Sequence, residues 1–333
     1  MPLKDYGVLV GRVAGRKIEA DINSPHYQVH VVAGGIAYRI AVNVRSAQSP
    51  PDLLYIADEA FKHPVLPTLD ALSDGFNGVP SGPGGVALDY IRGNLFDRNA
   101  MRTLPSTAPG PDNDLSDKID HFLTRAINDP SARIFAFGER WGPEPTTPDK
   151  VFGFSPGNGI HDIHMNQGNG GSFSRDNGVW QDGGVLLRFP EQDQWVAIFL
   201  AFQSQAWHTD DSTGDSIGGP GGGSEPDNKV RIVGALVNPI GPAPESEWIT
   251  LLNTTPDDID LTGWAVLDRL KQGMPLGPQR LPAGETIRVP VQPPVQLGNN
   301  GGLITVVDGA GLKVDGVSYT GQQAGREGWT IVF

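Results

Sequence analysis

Two histidines, a carboxylate and a pair of amides crowd the run Gly157, Asn158, Gly159, Ile160, His161, Asp162, Ile163, His164, Met165, Asn166, Gln167 and Gly168, which opens a glycine-rich stretch reaching Gly183. An apolar core has no use for that mixture, whereas metal ligation, proton transfer and ligand binding all do. In an extended chain successive side chains alternate, so Asp162, His164 and Asn166 share one face and His161, Ile163 and Met165 the other. An Asp-x-His pair on one face offers a divalent ion such as Zn, Mn or Mg a carboxylate oxygen and an imidazole nitrogen. The bounding glycines let a ligand approach the backbone closely.

A second set of polar groups lies upstream. Tyr27, Val29 and Val31 alternate with His26, Gln28 and His30; after Ala33, Gly34 and Gly35, the residues Tyr38, Ile40, Val42 and Val44 alternate with Arg39, Ala41 and Asn43. This pattern predicts a hairpin with one apolar and one polar face. The polar face lacks Lys and Glu, the usual residues of a solvated face, so it meets either water or a ligand. Joining the two sets gives the expected site. His26, His30, Asp162 and His164 line one cleft as metal ligands, with Asp176, Asp182 and His208 as further candidates; His26, His30, His161 and His164 supply acid and base; Gln28, Arg39, Asn166, Gln167, Gln203 and Gln205 contact substrate. A metal in such a site lowers the pKa of bound water to about 7 and needs no serine or cysteine nucleophile. A metal-free form uses a histidine pair as acid and base on a phosphodiester.

The elements that must position these groups are mostly strands. Glycine (44) and proline (29) are abundant in the 333 residues, and 38% hydrophobic against 19% charged composition reads as globular. Together they predict a mainly β fold: an α+β N-terminal domain of antiparallel sheets or a barrel-like core, then a β-sandwich. One helix is evident, with Leu115, Ile119, Phe122, Leu123, Ala126 and Ile127 at helical spacing, Asp114 or Ser116 as cap, and Asp129 before Pro130 as stop. His121 falls on its polar side. Strands are expected over 185–189 and from Trp195 onward, the second buried on both sides. Residues 209–228 are acidic and glycine-rich with almost nothing to bury, which predicts a linker between a domain at 1–208 and another at 229–333.

The chain has no cysteine, which excludes disulfides, thiolate metal sites and cysteine nucleophiles. Net charge is −13 and no region is basic, so no large surface for duplex nucleic acid is expected. The longest apolar run, Trp195 to Phe202, is too short to span a bilayer, and the expected address is the cytoplasm. Nucleophile-elbow, Walker and dinucleotide-binding motifs are absent.

Two resemblances rest on residues. Glu247, Trp248, Ile249, Thr250, Leu251, Leu252 and Asn253, followed by Asp260, Leu261, Thr262, Gly263 and Trp264, resemble the lamin-tail domain. That resemblance implies an immunoglobulin-like β-sandwich over 229–333, acting as a binding or tethering module for a protein partner, with Trp264 in its core and Glu247 structural. Residues 1 to 212 resemble the YukJ-like family of bacterial domains through Ser24 to His30, Asp89 to Asp97, Phe137 to Gly142, Gly157 to Gly168 and Phe202 to His208. This second resemblance brings no activity. Two functions therefore stand: a metal-assisted hydrolase acting on phosphoesters, favoured by analogy with enzymes that carry lamin-tail modules, or a non-catalytic pair of modules binding a small or polymeric ligand or a protein.

Overall fold

The computed structural model describes residues 6–19, 25–45, 53–78, 95–96, 100–162, 183–202, 229–241, 246–309 and 313–333. The chain divides into two compact units: Met1–Phe61, Thr68–Ser81 and Arg98–Gln205 form one, and Lys62–Pro67, Gly82–Asp97 and Ala206–Phe333 the other. The expected linker at 209–228 lies outside the described residues, as does the run from Asp89 to Asp97 except for Leu95 and Phe96.

The first unit is built on one long sheet. Its elements in chain order are β1 (Tyr6–Ile18), β2 (His26–Ala33), β3 (Ile36–Asn43), β4 (Leu53–Asp58), the last three residues of the short helix α1 (Leu66–Asp70), β5 (Gly75–Gly78), β6 (Arg102–Thr103), α2 (Leu115–Asn128), β7 (Arg133–Glu144), β8 (Gly157–Asp162), β9 (Gly183–Phe189) and β10 (Gln194–Phe202). The sheet runs β5-β1-β2-β3-β8-β7-β9-β10-β4-β6, and a further β1–β7 pairing closes β1, β2, β3, β8 and β7 into a five-stranded barrel. β1 serves both sides of the closure: residues 12–18 pair with β2 and residues 6–11 with β7, and a bulge between Val13 and Gly15 bends the strand. All barrel pairings are antiparallel except β3 with β8. Within the barrel the order 1-2-3-5-4, a parallel pair of third and fifth strands, and a helix between third and fourth are the connectivity of an OB-type barrel.

The hairpin reads as the alternation requires. Ala33 faces Ile36 across Gly34 and Gly35, both at positive φ, the two-residue turn that matches strand twist. Tyr27, Val29, Val31, Tyr38, Ile40 and Val42 point into the core with Leu9, Val13, Ile134, Ala136 and Ile160. The helix forms where expected, with the Asp114 side chain accepting from the Asp117 amide, and packs Leu115, Ile119, Phe122, Leu123 and Ala126 on the same core. His121 is solvent-exposed, as read from the helix pattern, and lines a cleft of about 630 Å³ with Tyr55, Glu59, Arg102 and Lys118.

The second unit pairs β11 (Val230–Leu236), β12 (Trp248–Asn253), β13 (Ile259–Asp260), β14 (Ala265–Leu267), β15 (Gly273–Pro275), β16 (Arg280–Leu281), β17 (Thr286–Pro290), β18 (Gly301–Val307), β19 (Lys313–Thr320) and β20 (Ile331–Val332). Two four-stranded antiparallel sheets, β17-β12-β11-β20 and β15-β14-β18-β19, share one apolar cluster that includes Ile232, Ile249, Leu251, Val266, Ile304 and Val306. This is a β-sandwich. Glu247 is structural, its Oε2 accepting from the Leu297 amide at 2.9 Å. Trp264 departs from expectation: it is half-buried and packs against this cluster rather than within it. The mainly β fold class holds in both units. No described helix is long and apolar enough to cross a membrane.

Candidate functional site

The outer face of the barrel gathers the polar residues. Strand registers place residues side by side on it in rows, since cross-strand partners share a face. One row runs Lys17, Gln28, Ala41, His161 and Glu139; the next runs Gly15, His30, Arg39, Gly159 and Trp141. His26 and Asn43 pair at the end of the hairpin. This face is not a solvated one: Gln28 is 1%, Arg39 5% and Asn43 2% exposed.

Its centre is Arg39. The Arg39 Nε donates to Asp149 Oδ2 at 2.6 Å and Nη1 donates to Gln28 Oε1 at 2.7 Å, while the guanidinium sits 4.6 Å from the Trp141 ring centre. Asp149 comes from the loop joining β7 and β8, and its Oδ1 accepts from the Val151 and Phe152 amides. Burial alone would raise the Asp149 carboxyl, but the Phe152 amide, the Arg39 bond and the Val151 amide together hold it below the ordinary range. The same loop sets Phe152 and Phe154 against His30, with ring centres 5.1 and 5.4 Å away and nearly parallel planes. Burial lowers the His30 pKa against the pull of Asp149. Gly159 is dictated by packing, since a Cβ there would lie 2.1 Å from the Arg39 carbonyl and 2.3 Å from the Trp141 ring.

Beside this cluster stand two histidines. Glu19 accepts from the His26 amide and from the Gln28 side chain, and its Oε2 lies 3.1 Å from His26 Nδ1. The His26 and His161 ring centres are 6.0 Å apart, and Trp141 packs on His161 at 4.8 Å. Burial lowers the His26 pKa below its ordinary value, and Glu19 opposes this by favouring the charged ring.

Of the expected residues, His26, Gln28, His30, Arg39 and His161 meet on this face. Asp162 does not. It pairs with Val42 and follows Ile160 by two, so it points to the core face and is fully enclosed. The expectation that Asp162 lines a cleft with His26 and His30 is corrected by this parity, and His161 takes the place beside His26. Among the described residues no group of three His, Asp or Glu side chains is placed to hold a metal ion. His164, Asn166, Gln167, Asp176, Asp182, Gln203, Gln205 and His208 lie outside the described residues. Glu19, Asp149, Phe152 and Phe154 were not anticipated, and Trp141 lay in the Phe137 to Gly142 run without being singled out.

Asp162 carries a stability prediction. Neither carboxylate oxygen makes a hydrogen bond of normal geometry, and although the Gly184 amide weakly favours the ionised form, burial pushes the pKa well above the carboxylate range. The folded chain thus keeps a proton that the unfolded chain loses above about pH 4, so stability falls as pH rises from there toward the raised pKa. Asp162→Val, similar in size and apolar, should stabilise the fold by about 1–3 kcal/mol at neutral pH and flatten its pH dependence. Urea unfolding at acidic and neutral pH measures this; a less stable variant at both would mean the carboxyl has a partner.

A profile of the family described as "Uncharacterized conserved protein (DUF2278)" matches residues 1–214. The chain belongs to this family. A relative, "Uncharacterized protein YukJ" of Bacillus subtilis (strain 168), is 44% identical over 215 residues, which is 64% of this chain and 94% of that protein. The family match thus spans the barrel, the outer-face residues and the run from Gly157 to Gly168, while the sandwich strands β11 to β20 lie beyond it.

Proposed function

We propose that the barrel face is the acid–base site of a phosphoester hydrolase, with His26 and His161 as its proton-transfer pair. The observation that carries this reading is the sequence of contacts Glu19, His26, His161. A carboxylate on Nδ1 fixes the His26 tautomer with its proton there and leaves the Nε2 lone pair free to act as base. Desolvation keeps that ring neutral near pH 7. The two rings meet edge to face with centres 6.0 Å apart, near enough for one reacting group beside them to meet both.

In the reaction, His26 Nε2 takes a proton from water as the water oxygen bonds to phosphorus. The bond from phosphorus to the leaving oxygen breaks, and protonated His161 gives that oxygen its proton. A diester yields a monoester and an alcohol, and solvent returns the proton from His26 to His161. Arg39 is committed to Asp149 and Gln28, so it shapes the site as a buried anchor and is not counted as a phosphate ligand. A Zn, Mn or Mg ion held by His26 and His161 would need further ligands from outside the described residues. The Glu247-led strand and the Leu261 to Trp264 turn support a lamin-tail-type role for the sandwich, tethering the barrel to a protein partner.

The test is release of p-nitrophenol from bis(p-nitrophenyl) phosphate by the full chain, in chelator and with each metal added. Turnover in chelator that is lost in His161→Gln with an unchanged melting temperature is the expected result. No turnover above buffer under any of these conditions overturns the proposal and leaves the non-catalytic binding reading.

A further inference from the structure

We infer that the substrate of this face is a single-stranded polynucleotide, tracked by exposed cations on β1 and stacked on the rings beside the histidine pair. Its chemistry rests on the acid–base reading above; its binding does not.

The cations are the first observation. Arg12 pairs with Val32 and Lys17 with Gln28, which puts both side chains on the outer face flanking His30 and His26. Both are exposed, and neither makes an ion pair among the described residues, whereas Arg16, Arg39, Arg133 and Arg188 of the same unit are each matched with a carboxylate. Lys150, exposed on the loop between β7 and β8, is near enough to His26 for its charge to lower that pKa. In a protein of net charge −13, three exposed cations with no ion pair among the described residues, around one buried polar face, favour an anionic ligand there. Arg12 and Lys17 are five residues apart, roughly 15 Å along a strand at about 3.3 Å per residue. That spacing suits a ligand that extends along the strand and carries charge at more than one point.

The rings are the second observation. Trp141, His161, His26, His30, Phe152 and Phe154 are all half-buried on this face or its loop, so that part of each residue stays accessible even though Arg39 lies over Trp141 and Phe152 and Phe154 stack on His30. Bases stack on such rings only when they are free of a complementary strand, and a duplex hides its base faces. Overall acidity further disfavours duplex binding through backbone contacts alone. A neutral oligosaccharide would stack on the rings but leave Arg12, Lys17 and Lys150 without counter-charges. The outer face of the second and third strands with its flanking loops is also where OB-type barrels take oligomeric ligands, which is support by analogy of fold.

The experiment is fluorescence anisotropy of the full chain with labelled oligo(dT) and oligo(rU), the matching duplexes, and a neutral dextran oligomer as competitor, over a salt series. We expect single strands to bind in preference to duplex and dextran not to compete. Arg12→Glu with Lys17→Glu should weaken binding at least about tenfold at low salt and reduce the salt slope by about 0.7 for each contact removed. Equal or tighter duplex binding, competition by dextran, or unchanged affinity in the double variant overturns the inference. Wild-type turnover of the small diester is read separately. Turnover without oligonucleotide binding overturns this inference alone, while oligonucleotide binding without turnover upholds it and overturns the acid–base reading.

Discussion

Arg39→Ala is expected to destabilise the first unit by about 3–5 kcal/mol, because it removes one partner of a buried ion pair and strands the other. The side chains of Arg39 and Asp149 are 6% and 1% exposed, so water cannot replace the lost contact. Asp149 would keep the Val151 and Phe152 amides but lose its counter-charge, and Gln28 Oε1 would lose its donor. Trp141 would lose the cation that covers its ring. The pH dependence has a definite sign. Asp149 is held below its ordinary pKa in the folded chain, so its contribution is present above about pH 4 and lost as pH falls below that. The deficit of Arg39→Ala is therefore largest near neutrality and shrinks in acid. Urea unfolding of Arg39→Ala, Asp149→Ala and the double variant measures it, and the double variant should fall well short of the sum of the two. A single-variant deficit below about 1 kcal/mol would show that the pair contributes no more than a surface contact.

His26→Ala should lower turnover of the small diester by about 10²- to 10⁴-fold, the range expected for one positioned proton-transfer group, with little change in substrate affinity. The base must be neutral to work, and burial holds its pKa below 6.5. The acid limb of the kcat/KM profile should accordingly lie below pH 6.5, with activity rising as pH rises through it. Glu19 raises the His26 pKa through charge and hydrogen bond, so Glu19→Gln should move that limb to lower pH while slowing the reaction. A purely structural Glu19 would change stability and leave the limb where it was. An acid limb unmoved in Glu19→Gln, or full activity in His26→Ala, would remove His26 from the chemistry.

Alternation along single strands determined a good part of this protein. It fixed the hairpin, with Tyr27, Val29, Val31, Tyr38, Ile40 and Val42 on one side and His26, Gln28, His30 and Arg39 on the other, because each strand carries a clear apolar set that only one face can bury. The helix and its Asp114 cap were legible for the same local reason. Strand β8 was not. Ile160 marks one side of it, but Ile163 and Met165 lie on the other, so apolarity along the chain could not say whether His161 or Asp162 looks inward. The parallel register of β8 on β3 decided it, setting Ile160 and Asp162 beside Ile40 and Val42 and His161 beside Ala41. The partner of Arg39 was equally beyond local pattern, since Asp149 is 110 residues away, whereas Glu19 is only seven residues from His26. The proximity of Arg39 and Asp149 goes with the pairing of β8 on β3, a long-range pairing that no window of neighbouring residues encodes.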